Sequence, residues 1–301
     1  MQDPDSLRLA DGMRLHLRHW PGPERPLGRV LIVHGLGEHG GRYAHVAQAL
    51  NTAGWAVQGY DQRGHGDSDG PRGAVPAADA LCADLAAVID ALRPAAVAAP
   101  LVLLGHSLGG LVAARFVAEG LAAQPAPWVR EVDALVLSSP ALDVAPTSFQ
   151  RLQLWLGERL MPDRPQPNGL KPQWVSRDAQ TVRDYIADPL VHDRITARLA
   201  RFVVDGGAGV VAAAPRWRVP TLLMWAGADR CVAPAGSAAF AAAAPPAVVQ
   251  PHRFDGLAHE IFNEPERAAV LARLTRWLAG FSAARRPGAA PPSAGPGRPR
   301  H

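Results

Sequence analysis

The sequence predicts an α/β fold, with a mostly parallel central sheet flanked by helices and one helical insertion. Two patterns predict it. Short apolar runs alternate with helical spacings over the first 140 residues and again from residue 219, as βαβ units do. Between them, residues 143–215 carry helical patterns and no convincing strand.

The elements follow in order. LRLADGMRLHLRHW alternates apolar and polar residues on both sides of Asp11-Gly12, a hairpin signal. RVLIVHG (29–35) is a continuous apolar run ending in glycine, as a parallel strand buried on both faces would be. YAHVAQALNTAG has helical spacing and stops at Gly54, a C-terminal cap. WAVQGYD (55–61) is the next strand, followed by the polar loop QRGHGDSDGPRG. ADALCADLAAVIDALRP reads as a helix ended by Pro94. LVLLG is then a strand, LGGLVAARFVAEG a helix and DALVLSSP (133–140) a strand. In the insertion, SFQRLQLWLGERLM and ITARLARFVV have helical spacing. A strand in VPTLLMWAG (219–227), a helix near SAAFAAAA, a strand near VVQPHRF and a helix in PERAAVLARLTRWLAGF complete the pattern. One core of residues 1–142 and 216–282, interrupted by 143–215, explains this order better than two serial domains. Residues 283–301, basic and rich in Pro and Gly, are expected to be a disordered tail.

Composition narrows the partners. With 48% apolar residues the chain can bury a sizeable core. The formal net charge of +4 does not point to nucleic acid. Arg285, Arg286, Arg298 and Arg300 lie at the C-terminal end, and setting those four aside leaves the rest near neutral. Cys82 and Cys231 are too few for a disulfide framework and lack metal-ligand spacing, so neither metal nor cofactor is expected. The N-terminus does not read as a signal peptide, and no run approaches the roughly 20 apolar residues of a membrane span. A cytoplasmic protein acting on a small molecule is the expectation.

The chemistry centres on LVLLGHSLGG (101–110), where Gly105-His106-Ser107-Leu108-Gly109 forms G-x-S-x-G between an apolar strand and a helix. A sharp turn there exposes the serine hydroxyl in a strained backbone conformation, and small residues at 105 and 109 let the turn close. A serine needs a base, and the base a carboxylate to orient it. In such a fold these follow in the order acid, then histidine, each after a later strand. Asp229 in LLMWAGADR and His259 in HRFDGLAHE are so placed. Asp205 lies in the insertion and Asp255 too near His259. His34, His39 and His65 precede the serine, His106 adjoins it pointing away, and His252 lies inside a strand. Ser138 and Ser139 end a strand without a glycine frame and read as turn residues. The Leu108 N–H, at a helix start, and the Leu36 N–H, in His34-Gly35-Leu36-Gly37, are candidate oxyanion donors.

On these residues the chain resembles the α/β-hydrolases of the monoacylglycerol lipase and lysophospholipase group, grouped by sequence with serine aminopeptidase-like hydrolases. The matching pieces are HGLGEHGGRY (34–43), YDQRGHGDSDGPRG (60–73), GHSLGG (105–110), DPLV (188–191), ADRCV (228–232) and HE (259–260). The resemblance implies an α/β-hydrolase fold, the triad Ser107, Asp229 and His259, oxyanion donors Leu36 and Leu108, and a cap at 143–215 over an acyl pocket. His34, Gly35 and Trp155 are expected to touch substrate, and Arg63 and His65 to fix the adjacent loop. Phe149, Leu152, Trp155, Leu156 and Leu160 share one helical side, which could meet a membrane surface transiently or pack on the main domain.

Monoacylglycerol is the expected substrate, with a lysophospholipid or short-chain ester as alternatives within the same chemistry. Peptidase, acyltransferase and non-catalytic ligand-binding roles on the same fold are more remote.

Overall fold

The computed structural model describes residues 5–93, 99–144 and 148–285. The predicted hairpin pairs β1 (Ser6–Arg8) with β2 (Arg14–Trp20), Leu7 opposite Leu15, and Gly12 turns between them at φ 85°. Next come β3 (Arg29–Val33), α1 (Ala44–Thr52), β4 (Ala56–Tyr60), α2 (Ala80–Leu92), β5 (Leu101–His106), α3 (Leu108–Glu119) and β6 (Ala134–Ser138). Gly54, at φ 93°, lies just past α1 where the cap was expected. α2 closes at Leu92, and Pro94, expected to end it, falls outside the described residues.

The insertion holds α4 (Ser148–Leu160), α5 (Ala179–Ala187) and α6 (Ala197–Ala213). It also contains strand pairing, contrary to the sequence reading. Gln166–Pro167 pairs antiparallel with Arg194–Ile195, and two residues are too few to show an alternation. β7 (Thr221–Ala226), α7 (Pro234–Ala243), β8 (Val249–Phe254) and α8 (Arg267–Ala284) complete the chain. α8 thus runs two residues into the stretch expected to be disordered, and Arg285 beyond it pairs with Asp133 at 2.7 Å. Residues 286–301 lie outside the described part.

The eight strands form one sheet in the order β1-β2-β4-β3-β5-β6-β7-β8. Every neighbouring pair from β4 to β8 is parallel, and β1 and β2 run antiparallel at one edge. Alternation within continuous apolar strands feeds two cores. Leu31, Leu103, Leu135 and Leu223 enter one, beneath α2, α3, α6 and α7. Ile32, Leu104, Val136 and Leu222 enter the other, beneath α1 and α8. α6 is shared between insertion and core: Leu199, Phe202 and Val210 are buried in the same cluster as the α3 residues. The close approach at Gly207, whose Cβ would lie 2.4 Å from the Leu142 carbonyl oxygen, requires glycine there. Among the described residues no helix is long and apolar enough to cross a membrane.

Candidate active site

Ser107 joins β5 to α3 at φ 52°, ψ −118°. L-residues rarely adopt this conformation, and it persists only where its surroundings hold it. Here the Ser107 N–H donates to Ser138 C=O, and its own carbonyl accepts from Leu111 and Ala141, each at 3.0 Å. The two glycines permit the turn for different reasons. A Cβ on Gly105 would sit 2.4 Å from the Gly109 carbonyl oxygen, inside the turn, whereas one on Gly109 would sit 2.1 Å from that of Val33, across to β3.

Parallel strands bring the later loops to the same sheet edge. Asp229 follows β7 and His259 follows β8, and His259 Nδ1 lies 2.7 Å from Asp229 Oδ2. The other Asp229 oxygen accepts from the Cys231 and Val232 amides at 2.8 and 3.1 Å, which fixes the carboxylate. An acceptor at Nδ1 places the proton there and leaves Nε2 with its lone pair. Burial disfavours the His259 cation, but the Asp229 charge and hydrogen bond, with Glu260 and Glu38 beyond, outweigh it and raise its pKa above 6.5. The His106 ring lies 4.8 Å from that of His259, tilted by 51°, and its Nδ1 is 3.1 Å from Ser138 Oγ, while the residue also borders the cavity at Ser107. Burial, aided by the His259 charge, brings its pKa down to about 4, so it is neutral near pH 7.

Ser107 stands where two cavities meet. One, of about 400 Å³, carries Glu38, Asp193 and His259 among apolar side chains such as Leu170, Val175 and Ile186. The other, of about 460 Å³, runs between α4 and α6 past Leu154, Ala200, Val203 and Val204. Leu36, Ser107 and Leu170 border both. Neither the Leu36 nor the Leu108 N–H is used by another hydrogen bond among the described residues. Gly35 lines the first of these cavities.

Two residues expected at the substrate lie elsewhere. His34 is fully buried outside both cavities. Its Nδ1 faces Gly35 C=O at 2.8 Å and its Nε2 accepts from Gln62 N–H at 2.9 Å, so both nitrogens are committed to holding loops. Trp155 is 47% exposed, with Arg159 over its ring at 5.3 Å, and its neighbour Leu154 faces the cavity instead. The side chains of Phe149 and Leu152 lie outside the described residues. Arg63 clamps Asp84 at 2.5 and 2.6 Å, and His65 packs between His34 and His192, as supports of the loop.

GEHGGRY and HE, which matter in the sequence only through the resemblance, meet around Glu38 and Arg42. Glu38 accepts from Gly35 N–H at 2.6 Å, Tyr43 hydroxyl at 2.7 Å and Arg42 at 2.6 Å, while Arg42 also grips Glu260 through two bonds of 2.7 Å. Burial alone would raise the Glu38 carboxyl, but Arg42, His106 and His34 hold it at about 2. One buried arginine thus ties the loop carrying Leu36 to the loop carrying His259. DPLV supplies a second tie, from the insertion: Asp188 meets His39 Nε2 at 2.8 Å.

A mostly parallel sheet with the strained serine at its edge and a histidine–aspartate pair on later loops is the α/β-hydrolase fold. The family model described as serine aminopeptidase, S33, matches residues 24–266, and the chain belongs to that family. A monoacylglycerol lipase of Mycolicibacterium smegmatis is 34% identical over 272 residues, covering 89% of this chain and 93% of that protein. An abhydrolase domain-containing protein of Dictyostelium discoideum is 30% identical over 274 residues, 91% of this chain, which spans only 28% of that longer relative. The crystal structure of Paleococcus ferrophilus monoacylglycerol lipase superposes with a TM-score of 0.78 at 34% identity, covering 89% of this chain and 99% of that one.

Proposed function

We propose that the chain is a serine hydrolase of fatty-acid monoesters of glycerol. Ser107 Oγ attacks the ester carbonyl as His259 Nε2 takes its proton, and Asp229 holds the resulting imidazolium. The Leu36 and Leu108 amides receive the oxyanion, at a helix N-terminus for Leu108. His259 returns the proton to the leaving glycerol, then activates water, and the acyl-enzyme releases the fatty acid. The observation that carries this reading is the meeting of two cavities at Ser107, one edged by Glu38, Asp193 and His259 and the other by Leu154, Val203 and Val204, which offers alcohol and acyl chain separate places. Both volumes are within the roughly 300–1,000 Å³ of small-ligand sites.

In this reading residues 143–215 are the cap over the acyl cavity, and Trp155, Leu156, Leu160 and Ile186, all exposed on it, contact the lipid surface from which substrate is drawn. The test is hydrolysis of glycerol monoesters of increasing acyl length by wild type and Ser107→Ala. Turnover of medium and long monoesters, reduced on the order of a thousandfold or more in the variant, supports the proposal. Turnover of short esters alone removes the lipase reading, and wild-type rates in Ser107→Ala remove the mechanism.

A further inference from the structure

Two residues past Asp229 the same loop carries a thiol. Cys231 N–H donates to Asp229 Oδ1 at 2.8 Å, and that bond keeps residue 231 beside the carboxylate. The residue is part-buried and borders both cavities at Ser107, so a solute entering either one can reach it. One ligand atom each from Asp229, Cys231 and His259, an oxygen, a sulfur and a ring nitrogen, lie within 4.8 Å of one another. Sequence spacing hides this set, because His259 stands 30 residues beyond Asp229 and arrives on the loop after β8. Cys82, the other cysteine, is buried in the core on α2.

The donor set has a chemical meaning. Zinc is a borderline-soft cation that takes thiolate, imidazole and carboxylate together, and its bonds of about 2.0–2.3 Å set tetrahedral ligand atoms about 3.5 Å apart. Atoms already within 4.8 Å need to close by little more than about 1 Å to reach that spacing. Three protein ligands leave the fourth position to water from the cavities. Magnesium and calcium favour oxygen ligands, and a sulfur donor does not serve them. The consequence for His259 is the same whichever nitrogen binds, because a neutral imidazole has one lone pair. A metal on Nε2 occupies the pair that would take the Ser107 proton. A metal on Nδ1 moves the ring proton to Nε2, which then has no pair to offer.

We infer that Asp229, Cys231 and His259 form a zinc site at which bound metal holds the enzyme inactive until it is chelated away. The inhibition rests on hydrolysis at Ser107 with His259 as base, whereas the binding does not. As the zinc–sulfur bond forms, the thiol releases its proton to solvent, the imidazole stays neutral and no group is oxidised or reduced. In the metal-free protein burial and the Asp229 charge push the Cys231 thiol up, so it stays protonated.

The experiment titrates chelator-treated full-length protein with zinc chloride during hydrolysis of 1-lauroylglycerol. Wild type, Cys231→Ser and Cys231→Ala are each compared with their own metal-free rate. Zinc is expected to abolish wild-type turnover, EDTA to restore it, and magnesium to leave it unchanged. The inhibitory zinc concentration should rise about tenfold or more in both variants, since even a partner outside the ligand set is worth about 10–100-fold in metal affinity. Equal inhibitory concentrations in wild type and variants overturn the proposal. A second readout needs no hydrolysis. Cobalt(II) added to Ser107→Ala should give a thiolate-to-cobalt charge-transfer band that zinc displaces and that Cys231→Ser removes. If no ester is turned over, the proposed function fails and the cobalt band alone decides the site. Absence of the band, or its survival in Cys231→Ser, refutes the site whatever reaction the protein performs. A band without zinc inhibition of an active wild type places the metal away from His259 and also overturns the proposal.

Discussion

Gly109→Ala isolates the backbone approach that sets the serine. The added methyl carbon would lie 2.1 Å from the Val33 carbonyl oxygen and 2.4 Å from that of His34. An ordinary carbon–oxygen contact is about 3.3 Å, so α3 must retreat from the end of β3 by about 1 Å. Both opposing atoms are backbone, with no flexible side chain to yield. The displaced helix carries the Leu108 N–H, and the obstructing strand leads into Leu36, so the retreat pulls apart the two proposed oxyanion donors. A misplacement of about 1 Å costs on the order of a hundredfold in rate, and overpacking of this kind costs about 1–3 kcal/mol of stability.

The assay pairs kcat/KM on a glycerol monoester with urea unfolding, beside Gly209→Ala as control. Gly209 is exposed in α6 with nothing within 4 Å of its would-be Cβ, and alanine there should stabilise by about 0.5–1 kcal/mol with activity kept. Wild-type activity and stability in Gly109→Ala would refute the account of the turn.

Three further outcomes follow from the charges. Arg42→Met leaves Glu38 and Glu260 buried without their cation and should cost about 3–5 kcal/mol in urea unfolding, whereas a loss below 1 kcal/mol would mean the network is dispensable. With the His259 pKa raised, the neutral base is lost as pH falls, so kcat/KM should climb with a midpoint above 6.5; a midpoint below 6 contradicts the Asp229 pairing. His106 and His192 are both depressed to about 4, so the stability they hold is complete above pH 6.5 and is lost as pH falls toward 4. His34, His45 and His65 shift in the same sense and His259 in the opposite one, so the calorimetric Tm should drop between pH 7 and 4.5, and a flat Tm refutes the burial of neutral imidazoles.

Much of the sheet was legible because its strands are continuous apolar runs bounded by glycine or polar loops, as in RVLIVHG and VPTLLMWAG. G-x-S-x-G was legible for a steric reason, and the contacts at Gly105 and Gly109 bear that reason out, although the obstacle at Gly109 is the neighbouring strand rather than the turn itself. What stayed hidden depends on contacts distant in sequence. Arg42 and Glu260 are 218 residues apart, and no local pattern marks their pairing. His34 is expected from the sequence to touch substrate, but the tertiary structure brings the Gln62 amide to its second nitrogen. Trp155 was placed from helical periodicity, which gives a face and not the direction of that face. The Gln166–Pro167 ribbon was too short to leave any period at all.

The ties around Leu36 change what the insertion does. His192 N–H donates to Gly37 C=O at 2.8 Å, and a Cβ on Gly37 would lie 2.2 Å from the His192 carbonyl oxygen, so the insertion rests directly on the loop that carries Leu36. Gly37, at φ 76°, makes that contact possible. From below, Glu38 grips the same loop through Gly35 N–H. The Leu36 amide is therefore held between Glu38, which Arg42 links to the histidine loop, and the segment following DPLV. A cap that only shielded the proposed acyl cavity would need no bond to this loop. Since this segment bears on it, the proposed mechanism expects substitutions at the Asp188–His39 contact to change kcat as well as KM, and a change in KM alone would refute a link to the proposed oxyanion donor.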